Sequence, residues 1–394
     1  MSTLASANDG STWPGHRGEN RDGHVAKLPQ KISKLELLWR FPMPSSGVGG
    51  VAATENFVVV SARDAEDKED LFICLDPIAG TELWRLQYAS PLTLDYGNSP
   101  RATPLIDDPW VYLLGAGGQL HCVDADSGEV KWKRHLVDDL HGERPQWGYG
   151  GSPLLVKDRL IVQPGGRDHA LVAIEAKNGE LAWNSTADQT GYASPQSIEL
   201  NGKSQIVGLD RKSIRGWDAS TGESLWVVSP QSSAEFHVPM PLVSKHGVIT
   251  VGEVRGTCHY RWDANGKLSA KAEAEQFELA PDMHSPVATS KYVFGVHDAL
   301  LAIEIDNKME IKWRIDDKAF QQHCNLIIAD DRLLVVTERG ELLLIDLAES
   351  NEGERILFRE QLGDGGRSLS HPALVGDVLY VRTNGYLTAW SLVE

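Results

Sequence analysis

Cysteine is scarce in this chain. Four occur in 394 residues (Cys74, Cys122, Cys258 and Cys324), none beside another and none spaced as CxxC. That excludes a disulfide framework and the common zinc patterns, and leaves the four as small buried hydrophobes. No apolar run approaches the roughly 18–20 residues that a membrane helix requires. The start, Met1 to Asn8, has neither a basic stretch nor a long apolar one, so no secretory signal is read there. Basic side chains are also in deficit, 38 Lys and Arg against 55 Asp and Glu, for a formal charge of −17. An acidic chain argues against a nucleic-acid backbone or an anionic membrane as the main partner. Missing too are the nucleophile elbow GxSxG, a phosphate loop ending in GK[ST] (the GAGG at Gly115 to Gly118 leads into no helix) and any sustained 3.6-residue apolar period.

What the chain does have is a repeat. Four segments align without a gap: CLDPIAGTELW ending at Trp84, CVDADSGEVKW at Trp132, AIEAKNGELAW at Trp183 and GWDASTGESLW at Trp226. An acid (Asp76, Asp124, Glu175, Asp218) and a glycine (Gly80, Gly128, Gly179, Gly222) stand at fixed places before each tryptophan. A short strand ending at the acid, a tight turn closed by glycine and a second strand carrying the tryptophan make a hairpin. The acid accepts backbone N–H bonds across the turn. Two further β-rich runs precede each acid, so each unit reads as four strands, A to D.

The template continues with losses. The fifth copy keeps Asp263 and Gly266 without the tryptophan; the sixth keeps Glu304 and Trp313; the seventh keeps Asp346 and offers Phe358. The eighth is split, with TNGYLTAWSL near the C-terminus as third strand and LELLWRF around Trp39 as fourth. The period matches the roughly 40–50 residues of a propeller blade. A split copy closes a ring through backbone hydrogen bonds, which a propeller needs and a solenoid does not. The fold expected is all-β: one eight-bladed propeller of four-stranded antiparallel blades over residues 35–394. Residues 1–34 read as an extended arm laid on its surface, with a disordered tip.

These repeats resemble the pyrroloquinoline quinone (PQQ)-type propeller repeat, with consensus ALD-x-x-TG-x-x-x-W, over roughly residues 35–394. The resemblance implies that Trp39, Trp84, Trp132, Trp183, Trp226 and Trp313 are docking residues between blades. WPGHRGENRDG, Trp13 to Gly23, is similar to a leader of bacterial propellers of this family, where it follows an export signal. By that resemblance the protein is exported or periplasmic; by the chain as given, cytoplasmic. Trp13 and Arg17 could staple the arm to the ring.

Connectivity places the D-to-A links and B-to-C turns on one face, the natural seat of a channel-mouth site. His237, His284, His323 and His371 stand just before successive A strands. They offer imidazoles for a metal or proton-transfer site, or simply bond neighbouring backbone; their unequal offsets favour the latter. Trp147, Tyr149 and Tyr192 could form an aromatic lip, and Arg101 and Arg382 near the same rim could meet an anionic ligand. The B-to-C turns PGGRDH, GEVRGT and TERGE add no convincing catalytic set.

Quinoprotein dehydrogenases of the family are longer, carry vicinal cysteines beside the quinone and hold calcium; those features are missing here. The family also includes a non-catalytic member, the propeller lipoprotein of outer-membrane β-barrel assembly, although its lipobox cysteine has no counterpart near Met1. The sequence therefore favours a monomeric binding or scaffold module, with no cofactor expected and its protein partner or ligand undefined. A PQQ- and calcium-dependent dehydrogenase acting on alcohols or sugars is the alternative. A carbohydrate-binding propeller using Trp147 and Tyr192 as stacking platforms is the third reading.

Overall fold

The computed structural model describes residues 12–230, 237–329, 331–350 and 353–394. The expected tip of the arm, Met1 to Ser11, lies outside them. Among the described residues eight four-stranded sheets account for nearly all regular structure, each antiparallel with spatial order A-B-C-D, and seven of them run in chain order. Strands A are short: Ala52–Ala53, Leu105–Asp107, Leu154–Val156, Gln196–Leu200, Leu242–Ser244, Val287–Ala288, Cys324–Ile328 and Ala373–Val375. Neighbouring blades approach one another through them, so strands A line the axis. Strands B and C are buried apart from their ends, and Val58–Arg63 is buried throughout, because adjacent blades cover both faces. Strands D alternate between buried and exposed residues and form the outer wall.

The ring closes as expected. Lys34–Pro42 pairs antiparallel with Tyr386–Val393, from Lys34 opposite Val393 to Pro42 opposite Tyr386. Blade 8 thus takes strand D from the start of the chain and strands A to C from its end. The four cysteines are buried free thiols, and in Cys74 and Cys122 burial raises the thiol pKa to about 12.

The turn acids act on backbone. Asp76 accepts from the amides of Ile78 and Ala79, at 2.8 and 2.7 Å, and Asp218 from Ser220 and Thr221. The tryptophan of one blade reaches the C-to-D turn of the next. The indole nitrogens of Trp39, Trp84, Trp132 and Trp183 donate to the carbonyls of Pro77, Ala125, Ala176 and Ala219. Their rings lie over Gly80, Gly128, Gly179 and Gly222, where a Cβ would come within 2.4–2.8 Å of the indole. Glycine is therefore needed twice at these turns, for its positive φ and for the room it leaves to the previous blade's ring. Trp226 differs: its nitrogen donates to Gln205, whose amide in turn donates to the Gly266 carbonyl of blade 5. Trp313 lies under the guanidinium of Arg355 from the seventh turn, 4.5 Å from the ring centre.

Register across the sheets aligns all eight positions. The row Ala52–Val59–Cys74–Trp84 of blade 1 recurs as Leu105–Tyr112–Cys122–Trp132 in blade 2 and as Leu154–Ile161–Ala173–Trp183 in blade 3. Phe358 holds the place in blade 7, opposite Leu344. In blade 5 the row reads Leu242–Ile249–His259–Ala274. Ala274 is the one non-aromatic residue in the series.

Candidate functional site

The arm does not lie on the outer surface. Trp13 exchanges both backbone hydrogen bonds with Ala53 of blade 1, each 2.8 Å, and the Ile106 amide of blade 2 donates to the Pro14 carbonyl at 2.7 Å. The Arg21 guanidinium donates to the carbonyls of Pro153 and Ser152 in blade 3, at 2.7 and 3.0 Å, and the Gln196 amide of blade 4 donates to the Arg21 carbonyl. The same Gln196 side chain accepts from the Val243 amide of blade 5. Arg17 donates to the Pro286 carbonyl of blade 6, and His24 to that of Ala288. Gly23 and Val25 bond Ile328 of blade 7, and Trp13 stacks on His371 of blade 8 at 5.9 Å. A segment joined to the inner strands of all the blades, one of them through Gln196, can only occupy the axis.

Local sequence explains this path. Gly18 and Gly23 take positive φ, and a Cβ on either would press on the Trp13 ring or on Val287. Arg17 and Arg21 also sit at positive φ, 63° and 59°, a costly conformation held by their guanidinium bonds. Trp13 is fully buried and Arg17 is 1% exposed. Burial lowers the pKa of Arg17 to about 10 and that of Arg21 to about 9, the latter aided by Arg17, so both keep their charge at pH 7. The signal in the sequence was WPGHRGENRDG itself, with Gly18, Gly23, Arg17 and Arg21 at turn spacing.

The histidines divide. His284 and His323 meet edge to face at 5.2 Å, and His371 meets His16 of the arm at 5.7 Å. Burial lowers all four, His323 and His371 to about 3, so they are neutral imidazoles at pH 7. His284 donates to the Val296 carbonyl and His371 to that of Pro372. His237 is separate: its carbonyl accepts from the Tyr192 and Ala193 amides, and burial lowers its pKa to about 4. Among the described residues no group of three or more His, Cys, Asp and Glu could hold a metal ion.

At the rim Trp147 stacks on Tyr192 at 5.2 Å and meets Tyr96, which is 85% exposed, at 6.0 Å. Tyr96 joins the lip unforeseen. Tyr149 does not; it is buried, with its hydroxyl donating to the Pro164 carbonyl. Arg101 donates to the carbonyls of Ser99, Asp95 and Gly97 and so braces the loop carrying Tyr96. Arg382 is not a rim residue: it is 1% exposed under Gly47, where a Cβ would collide with its guanidinium. A planar quinone tricarboxylate with calcium calls for free cationic donors and a carboxylate site at the mouth. Arg101 spends its donors on its own loop, and Arg382 lies sealed beneath Gly47 although its Nε and Nη1 have no partner among the described residues. No group among those residues could hold the calcium, and the axis carries Trp13 and Arg17, so the residues present do not fit that cofactor.

Comparisons with known proteins follow this geometry. The quinohemoprotein alcohol dehydrogenase ADH-IIG of Pseudomonas putida is 29% identical over 229 residues, 52% of this chain and 31% of its own length. The chain thus spans under a third of that relative. BamB from Moraxella catarrhalis superposes with a TM-score of 0.63 at 16% identity, covering 91% of this chain and 100% of its own. The quinohemoprotein alcohol dehydrogenase from Comamonas testosteroni gives 0.70 at 14%, covering 98% and 81%. At such identities these likenesses speak for the fold. Residues 68–314, more than half of the chain, match the family model described as outer membrane protein assembly factor BamB, and the chain belongs to that family of PQQ-like propellers.

Proposed function

We propose that this protein is a non-catalytic binding propeller, a rigid ring presenting loops and clefts to a protein partner or small ligand. One observation carries the reading: the chain's own arm fills the axis and bonds the inner strands, which leaves the ring braced and its centre taken. In this reading the described part of the arm, residues 12–34, is an integral brace for a single propeller domain, 35–394, that works as a monomer. The six tryptophans are mortar, and the lip of Tyr96, Trp147 and Tyr192 belongs to the contact face. The family description, outer membrane protein assembly, favours an exported protein and a protein partner.

The dehydrogenase reading draws on the similarity to the Pseudomonas putida enzyme. Stacked Trp147 and Tyr192 favour the carbohydrate reading, since sugar faces pack on aromatic rings. Calorimetric titration with PQQ, in calcium and then in EDTA, with dye reduction by short alcohols and aldoses, tests the proposal. The expected result is no heat and no turnover. Calcium-dependent binding with turnover would overturn it.

A further inference from the structure

Arg382 holds the place in blade 8 that Arg63 holds in blade 1, each being the last residue of its strand B. Both guanidiniums are buried, but their partners differ. Arg63 stands opposite Asp70 in the sheet and donates to its carboxylate at 2.8 Å, and also to Asp67 and to the Ser90 carbonyl. Opposite Arg382 stands Leu387, so the blade supplies no carboxylate. Among the described residues its side chain makes a single long bond, 3.4 Å from Nη2 to the Ser45 carbonyl, and Nε and Nη1 have none. Burial lowers its pKa to about 10, so the group keeps its charge at pH 7. A buried cation without a counter-charge is costly to a fold. Its cover is short of acceptors too. Gly47 lies directly on the guanidinium, held by its carbonyl to the Ser370 hydroxyl at 3.1 Å. From residue 46 to residue 50, SGVGG, no backbone amide meets an acceptor among the described residues.

We infer that Arg382 and the loop of residues 45–50 bind a small free oxyanion, phosphate or sulfate, at the seam where the ring closes. Guanidinium and backbone N–H groups are the donors such ions take, in charge-assisted bonds. The close cover sets the size. Gly49 and Gly50 press on Ser61 and Thr103, where a Cβ would come within 2.6 and 2.4 Å of the hydroxyl oxygens. An ion must pass beneath that cover, which favours a free ion over one carried on a larger molecule. The loop leads from strand D of blade 8 to strand A of blade 1, and Ser45 also accepts the Arg63 amide on its hydroxyl at 2.8 Å. A bound anion would tie this crossing to strand B of blade 8 and so brace closure. The inference goes beyond the binding-propeller reading and stands without it.

The test uses the full chain and inorganic phosphate, at an ionic strength held constant with sodium chloride. Hydrogen exchange across residues 45–50 reads the loop itself. At ten times the dissociation constant those amides should exchange about tenfold more slowly, with the loops of blade 4 unchanged, and Tm should rise and saturate. Sulfate should compete, and phenyl phosphate, whose ring the cover excludes, should bind far more weakly. Arg382→Gln should weaken phosphate at least about tenfold, as loss of a charged donor requires, and Arg382→Lys should weaken it less. Should neither variant fold, exchange in the wild-type chain decides alone. No slowing at residues 45–50, a response that chloride reproduces, or undiminished binding by folded Arg382→Gln would overturn the inference; a corner filled by water alone gives the first of these. Equal binding of phenyl phosphate would overturn the placement beneath the loop. Quinone turnover would sink the proposed function and leave this site standing, whereas silence from phosphate would sink the site alone.

Discussion

Replacing Trp13 by alanine should release the arm from the axis. The indole is fully buried, packs against Gly18 and stacks on His371. Truncating a buried tryptophan costs about 3–5 kcal/mol. The backbone pair with Ala53 survives the substitution, so the loss falls on the arm's local closure rather than on the ring. If the arm opens independently, its open population rises between about a hundredfold and several thousandfold, and proteolysis of an opened segment follows that population. Arg17 and Arg21 are tryptic sites that the native fold buries. Wild-type protein should resist trypsin there, and Trp13→Ala should be cut at both before the ring is touched. Trp13→Phe should fall between them and closer to wild type, because the indole N–H has no partner among the described residues and only ring area is lost. Equal cleavage of all three, or rapid cutting of the wild type at Arg17, would refute the reasoning.

Gly80→Ala should cost more than Gly376→Ala. Both have positive φ, worth about 1–2 kcal/mol, but only the first would put a methyl 2.5 Å from an indole, adding about 1–3 kcal/mol of overpacking; paired denaturant titrations check this. Acid should destabilise the protein through its buried histidines. His323 and His371 titrate near 3 when folded and near 6.5 when unfolded, so the unfolded state binds more protons between those values. Their stabilising contribution is therefore complete above about pH 6.5 and falls by about 1.4 kcal/mol per pH unit for each as pH drops toward 3. Melts between pH 7 and 4 should be shallower in His323→Gln by about one proton's worth; an unchanged slope would contradict that assignment.

The ring was legible because its parts repeat. A tryptophan, a glycine and an acid at fixed spacing encode a hairpin and its neighbour's docking surface together, and the split copy encodes closure. Ala274 escaped notice because strand C of blade 5 runs further before its turn acid: Asp263 stands four positions after His259, whereas Asp76 stands two after Cys74. Counting from the acid therefore misses the aligned position. The arm was misplaced for a different reason. Eleven of its thirteen residues from Trp13 to Val25 are buried or half-buried with no sustained period, and the bonds that anchor the arm to the ring reach blades far along the chain. The same holds for Arg382, whose burial depends on Gly47, distant in sequence. Among the rim residues, Trp147 and Tyr192 could be paired by their equal places in adjacent blades, whereas Tyr96 is held by the Arg101 brace on its own loop.

Hydrogen exchange of the intact protein across residues 12–25, measured with and without PQQ and calcium, tests the central claim most directly. A structural brace predicts that the amides of Trp13, Gly23 and Val25 exchange as slowly as those of Ala53 and Ile328, and that the quinone changes nothing. Exchange of those amides at the rate of exposed loops, or loss of their protection when the quinone is added, would contradict it.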